Sequence, residues 1–155
     1  MADRFDRKHP AHGVFESPFQ PTIVWNTVCT KRREPWLAND AVHQLLRAVW
    51  SAFDQWRVGP YVILPDHIQF LAGKASEMPF DPWVTAWKAE FTRRHNEPTH
   101  RWLSDHWDTR VRSRKHYNEL VDDPADWPYC GELFQLGWDG YCPRHNLGHH
   151  TACRA

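Results

Sequence analysis

An α+β fold is predicted for this chain: a four-stranded antiparallel sheet in ferredoxin-like βαββαβ order, with two helices on one face. Three observations carry that expectation. Apolar residues recur at helical spacing in two stretches, Val42, Leu45, Leu46, Val49, Phe53 and Trp56, then Val84, Trp87 and Phe91. Short β-branched and aromatic runs flank them, as in TIVWNTVCT from Thr22 to Thr30 and HIQFLAG from His67 to Gly73. The resulting order of strand, helix, strand, strand, helix, strand is that of a split βαβ sheet.

The elements follow in turn. Residues 1–21 are polar and punctuated by Pro10, Pro18 and Pro21, which predicts a lead-in outside the domain. The strand Thr22 to Thr30 is apolar on both faces and ends in the basic loop Lys31-Arg32-Arg33. Asn39 offers a cap, and Asp40 suits the first turn of a helix over 40–56. Val58 to Leu64 is the second strand; Pro60, which cannot donate to a ladder, suggests that it lies at an edge. Pro65-Asp66 turns the chain into the third strand. Asp81-Pro82 marks a helix start that runs towards Asn96. Arg101 to Val111 reads as the fourth strand, and Ser113 to Leu120 as a short helix.

Composition sets limits on function. The 155 residues fit one domain, and 41% hydrophobic with 25% charged residues is globular composition, not disorder. Ten tryptophans supply core area, with indole N–H groups that need partners when buried. The formal net charge of zero is not that of a typical nucleic-acid binder, so any such role rests on clustering. Lys31-Arg32-Arg33, Arg93-Arg94-His95 and the run from Arg110 to His116 are the clusters, each of which also reads as a solvated face. The polar N-terminus and the absence of a long apolar stretch predict a cytoplasmic protein with reduced thiols and no membrane partner.

Alternation on the third strand separates two sets of side chains. Ile68, Phe70 and Ala72 point towards the helices; His67, Gln69 and Leu71 point onto the open face. His67 and Gln69 have Cα atoms about 7 Å apart at the usual strand rise, close enough to converge on one ion. A neutral amide ligand suits Mg²⁺ or Mn²⁺ rather than Zn²⁺. The plain alternative is a hydrogen-bonded strand histidine beside a surface amide.

The blocks VGPYVILPDHIQFLAG, TVCTKRREPWLAN, PFDPWVTAWKAEF, HWDTRVRSRKHYNE and DWPYCGEL stand in one order between residues 22 and 138. Together they resemble the HUH single-tyrosine transposases, in the branch of REP-associated tyrosine transposases. The resemblance implies binding of single-stranded or hairpin DNA, by a monomer or a homodimer. It also implies cleavage and rejoining through a 5′-phosphotyrosine with a divalent metal, Mg²⁺ or Mn²⁺. The metal residues would be His67 and Gln69. The DNA-binding residues would be Lys31, Arg32, Arg33, Arg110, Arg112, Arg114 and Lys115.

Two departures bear on catalysis. Gln69 stands where the family has its second metal-binding histidine. The helix that carries the family's nucleophile has no counterpart, since HYNEL runs straight into VDDPADWPY. The domain is thus shortened after residue 120. Tyr117 is the candidate nucleophile, with Arg114, Lys115 and His116 beside it, but it matches an upstream tyrosine of its block and also reads as a ring packed on the sheet. Tyr129 matches a structural position. Impaired catalysis is the expectation, with a non-catalytic nucleic-acid-binding module and a decayed transposase fragment as the other readings. Residues 139–155 form a Cys/His-containing tail; Cys142, His145, His149 and Cys153 are zinc-type ligands, and the expectation is a flexible segment.

Overall fold

In the computed structural model the described residues are 22–121 and 129–132. The lead-in and the Cys/His tail with its four zinc-type ligands lie outside them. Five strands are β1 (Ile23–Thr30), β2 (Trp56–Ile63), β3 (His67–Lys74), β4 (Trp102–Arg110) and β5 (Tyr129–Glu132). Three helices are α1 (Asp40–Ala52), α2 (Phe80–His95) and α3 (Arg114–Val121), and Lys31–Arg33 form a 3₁₀ turn. The sheet order is β4-β1-β3-β2-β5, with every neighbouring pair antiparallel. Its first four strands have the ferredoxin-like order that the sequence predicts.

The fifth strand corrects one expectation. β2 is not at the edge, because Pro60 to Ile63 pair with Glu132 to Tyr129. The sheet accommodates Pro60 through a register shift against β3 between Val58 and Tyr61. A bulge of this kind is where a residue without an N–H does least damage to a ladder.

The helix ends also differ from their sequence signals. Asn39 caps α1 as expected, its side chain accepting from the Val42 N–H at 2.9 Å. α1 then stops at Ala52, and Phe53 closes it by donating its N–H to Val49 O. Trp56, which continues the helical spacing, instead opens β2. Its ring reaches the same core from the strand, and its indole N–H donates to Met78 O at 2.8 Å. α2 begins one residue before Asp81, with Pro79 at the cap position and no side-chain cap bond. The Asp81 carboxylate accepts from His106 Nε2 on β4.

The core lies between the sheet and the pair α1/α2. Val24, Val28, Val58, Ile63, Ile68, Phe70 and Ala72 from the sheet meet Val42, Leu46, Val49 and Trp50 of α1 and Trp83, Val84, Trp87 and Phe91 of α2. Two buried indoles find backbone acceptors, Trp56 at Met78 O and Trp83 at Phe53 O. Trp36, Trp50, Trp87 and Trp102 keep buried indole nitrogens without a hydrogen-bond partner. Their rings meet edge-on instead: Trp50–Trp87 at 5.8 Å, Trp87–Trp102 at 5.6 Å and Trp36–Trp102 at 5.1 Å between centroids. Edge-to-face packing contributes about 0.5–1.5 kcal/mol per pair and partly offsets the missing bonds.

Lys88 ties α2 to β4. Its buried ammonium donates to Leu103 O at 2.7 Å, and burial lowers its pKa to about 8. Within α1 and β2, His43 Nε2 and Tyr61 Oη lie 2.7 Å apart in the core. Burial pushes the Tyr61 phenol up to about 12 and pushes the His43 imidazole down, with Arg47 adding to the histidine shift.

Two outcomes are expected. Asn39→Ala destabilises the fold by about 1 kcal/mol in a denaturant melt. The His43 shift gives a definite sign to pH dependence. The unfolded imidazole takes a proton near its ordinary value of 6.5, while the folded one resists it to lower pH. Stability therefore falls as pH drops below about 6.5. Denaturant melts at about pH 7 and about pH 5.5 check it, and His43→Gln flattens the slope while leaving the share of His95, which burial shifts the same way.

Candidate functional site

β3 is central, paired to β1 on one side and β2 on the other. Its alternation is the predicted one: Ile68, Phe70 and Ala72 lie in the core under the helices, and His67 and Gln69 on the opposite side are half-buried. Register places Cys29 opposite His67 and Thr27 opposite Gln69 on β1. Trp107 of β4 lies across from Thr27 in turn. Gln69, Thr27 and Trp107 thus form one row across three strands on the face away from α1 and α2.

His67 sits at the first position of its strand, and the chain before it is firmly tied. Thr30 N–H donates to Asp66 O at 3.0 Å, and Leu37 N–H to Pro65 O at 3.0 Å. The Thr30 hydroxyl donates to Glu34 O at 2.8 Å and also lies 3.1 Å from Asp66 O. These bonds gather the end of β1, the basic turn and the start of β3 at one corner.

Asp66 links the side chains at that corner. Its Oδ1 accepts from His67 Nδ1 at 2.7 Å, and its Oδ2 accepts from Arg33 Nε at 2.9 Å. Arg33 Nη1 also donates to the buried Cys29 Sγ at 2.8 Å. Partial burial works against the Asp66 charge, but the His67 bond and the Arg33 guanidinium outweigh it and hold the carboxyl below its ordinary range. An ionised Asp66 accepts only, so His67 Nδ1 carries the proton, and in the neutral ring Nε2 is the nitrogen with the lone pair. This is the carboxylate–histidine arrangement that orients a metal ligand. The Arg33–Asp66 pair is more than half exposed on the arginine side. It contributes about 1 kcal/mol or less, so its effect is positional.

The basic turn has unusual backbone. Arg32 and Arg33 both adopt φ of 57°, in the left-handed region that non-glycine residues avoid. Lys31 N–H donates to Arg101 O at 2.8 Å, which holds the turn against the start of β4. Lys31, Arg32 and Arg33 are exposed.

The second basic group is elsewhere. Arg110 pairs in register with Val24, at the far end of β1 from Cys29 and His67. Alternation puts its side chain with Val24, on the side of the sheet that α1 and α2 cover. Arg112, Arg114 and Lys115 follow on exposed positions before and within α3. The two groups stand roughly 20 Å apart along the sheet, six residues at strand rise. The third cluster of the sequence is spent locally, with Arg93 and Arg94 both on Glu90 of their own helix.

α3 packs on the face away from α1 and α2. Tyr117 is buried there with Ile23, Leu71 and Val111, and Trp25 borders the group. Ser113 closes the first turn, its hydroxyl accepting from His116 N–H at 3.1 Å. Tyr117 therefore shares the face of His67 and Gln69 but packs at Leu71, four residues and roughly 13 Å along β3 from His67. The side chain of Tyr129 lies outside the described residues. Among the described residues no helix is long and apolar enough to cross a membrane.

Reading the sequence missed Asp66, whose only visible signal is its place before His67 in a Pro-Asp turn. It also missed a second group: Asp81, His106 and Asp108 bring one ligand atom each to within 4.8 Å of one another.

The Asp66 geometry makes a spectroscopic prediction. In a ¹⁵N spectrum of the imidazoles near neutral pH, His67 is protonated at Nδ1, and Asp66→Asn shifts population to the Nε2–H tautomer. A wild-type protein with His67 protonated at Nε2 would show this account of the corner to be wrong.

No protein-family model matches the chain, and no curated protein matches it significantly. Solved structures do. A REP-associated tyrosine transposase bound to a REP hairpin superposes with a TM-score of 0.55, at 20% identity, over 71% of this chain and 68% of that one. A chain assigned as a transposase from Deinococcus radiodurans R1 aligns with a TM-score of 0.49 at 12% identity, over 70% of this chain and 92% of that one. The chain has a transposase-like fold.

Proposed function

We propose that this protein binds single-stranded or hairpin DNA across the face that carries His67, Gln69 and Trp107, and that strand cleavage and rejoining are impaired. The observation that carries the reading is the corner at His67. There Asp66 holds the imidazole by Nδ1, which leaves Nε2 as the nitrogen for a ligand, and Arg33 brings the basic turn beside it. Support for the ligand class comes from the solved relative of the same fold, which holds a REP hairpin.

Each part of the face has a task in this reading. Lys31, Arg32 and Arg33 at one end hold phosphates, and Arg112, Arg114 and Lys115 do so at the other. The separation of roughly 20 Å matches about six stacked nucleotides of a strand. Arg110 acts less directly, since its side chain lies towards the helix side. Trp107, half-buried in the same row as Gln69 with Thr27 between them, offers a ring on which an unpaired base stacks.

His67 and Gln69 fit a divalent ion of the Mg²⁺ or Mn²⁺ kind as a weak site. Both donors are neutral, and an ion of this class keeps waters and phosphate oxygens for its remaining positions. When bound, it would polarise the phosphate and neutralise developing charge. Asp66 would keep the imidazole in the ligating tautomer. Tyr117 is the nucleophile candidate on this face. Its ring is 1% exposed and packed at Leu71, and a nucleophile must come within ~3–3.5 Å of its phosphorus. That packing is why we favour binding over cleavage.

The test is an anisotropy titration of a hairpin-bearing strand and of a plain duplex at several salt concentrations, with a nicking assay in Mn²⁺. Binding that weakens steeply with salt is expected, and Lys31→Ala or Arg112→Ala each lower the salt slope by roughly 1. Trp107→Ala weakens binding by about 1–3 kcal/mol. No binding at low salt would sink the reading. Efficient nicking with a covalent adduct that disappears in Tyr117→Phe would show that catalysis is intact.

A further inference from the structure

The geometry points to a second divalent-cation site, on the opposite side of the sheet from His67, formed by Asp81, His106, Asp108 and Asn26. His106 Nε2 lies 2.9 Å from Asp81 Oδ1 and 4.0 Å from Asp108 Oδ2. His106 and Asp108 are two residues apart on β4 and share one side of the strand. Their cross-strand partners are Val28 and Asn26, and Asn26 also pairs with the core residue Phe70. That side faces α1 and α2, and Asp81 reaches it from the first turn of α2.

Asn26 supplies an independent observation. It is fully buried, and neither its amide oxygen nor its amide nitrogen has a hydrogen-bond partner. A directly opposed pair such as Asn26 and Asp108 has Cβ atoms about 5 Å apart. A buried amide left unsatisfied is costly, and native structures rarely keep one without a ligand, water or ion nearby. Its oxygen is a fourth donor of the right kind beside two carboxylates and an imidazole.

The dimensions suit an ion. A four-coordinate ion with bonds of about 2.0–2.2 Å holds neighbouring ligand atoms roughly 3.3–3.6 Å apart. The three donor atoms lie within 4.8 Å of one another, so movements of about an ångström close them on one centre. Two carboxylates, one imidazole and one amide oxygen fit Mn²⁺ or Zn²⁺ better than an all-oxygen Mg²⁺ shell. On binding, His106 passes to the Nδ1–H tautomer: the proton directed at Asp81 leaves Nε2 for solvent, Nδ1 takes one up, and the freed Nε2 lone pair faces the ion. His106 and Asp108 are buried, and the Asp81 side chain is 44% exposed, which gives an ion a way in. The ion would clamp the start of α2 to the edge strand that carries Trp107.

Chelator-stripped protein titrated with Mn²⁺ and, separately, Zn²⁺ tests this by calorimetry and thermal melting. One tight equivalent is expected, separate from weaker Mn²⁺ uptake at His67 and Gln69, and it raises Tm by a few degrees, a linkage effect of binding to the folded state alone. Asp81→Asn and Asp108→Asn each weaken that uptake at least about tenfold, as lost ligands do. His67→Ala leaves it in place. Should Asp108→Asn fail to fold, the half-exposed Asp81 decides. Asn26→Leu gives a separate readout: the ion-free protein melts higher than wild type, and the ion no longer raises its Tm. In the His67→Ala background, uptake that survives Asp81→Asn, or no uptake of either ion at millimolar concentration, overturns the assignment. In the latter case Arg110, next on the same side of β4, is the cation that balances the carboxylates.

Discussion

β3 is hydrogen-bonded to a neighbour on both sides, and almost everything else in the molecule answers to that constraint. A strand held this way cannot slip by one residue without turning its whole apolar set outward. Ile68, Phe70 and Ala72 must therefore face the helices, and His67, Gln69 and Leu71 must face the other way. The same register carries outward to β1 and β4. It aligns Thr27 and Trp107 with Gln69, and it puts Asn26 and Asp108 together on the side of the core. Two polar groups on opposite sides of one sheet are consequences of a single pairing.

The corner at Asp66 shows how much can hang on a turn residue. Backbone bonds from Thr30 and Leu37 fix the loop, and the carboxylate then holds an imidazole on one oxygen and a guanidinium on the other. No long-range electrostatic field is needed for a protein of zero net charge to present a local basic surface. The charges are grouped by topology: one set follows β1, another follows β4, and Arg93 and Arg94 are returned to Glu90.

Much of the fold was legible because it is written in local patterns. The strand and helix order, the Asn39 cap and the alternation of β3 all come from spacing within about ten residues. What was not legible depends on partners far along the chain. β5 is a strand only because β2 has a free side for it to pair with, and nothing in YCGE announces that. Trp56 mimicked a helical position because its ring enters the helix-facing core from a strand. Asp81 looked like a helix cap because of Pro82, yet its carboxylate accepts from a histidine 25 residues away. The alternation of β4 would have placed His106 and Asp108 on one side, but not what they meet there.

The two left-handed arginines of the basic turn carry a consequence for how this segment can vary. Each non-glycine residue in that region forgoes roughly 1–2 kcal/mol relative to a comfortable backbone. Glycine at Arg32 or Arg33 would relax the turn and steady the fold while removing the charge beside His67. Gains in stability and retention of the cationic corner are thus opposed at the same two residues. A lineage selected only for a robust fold would drift towards glycine there, whereas this chain keeps guanidinium groups where the backbone least favours them.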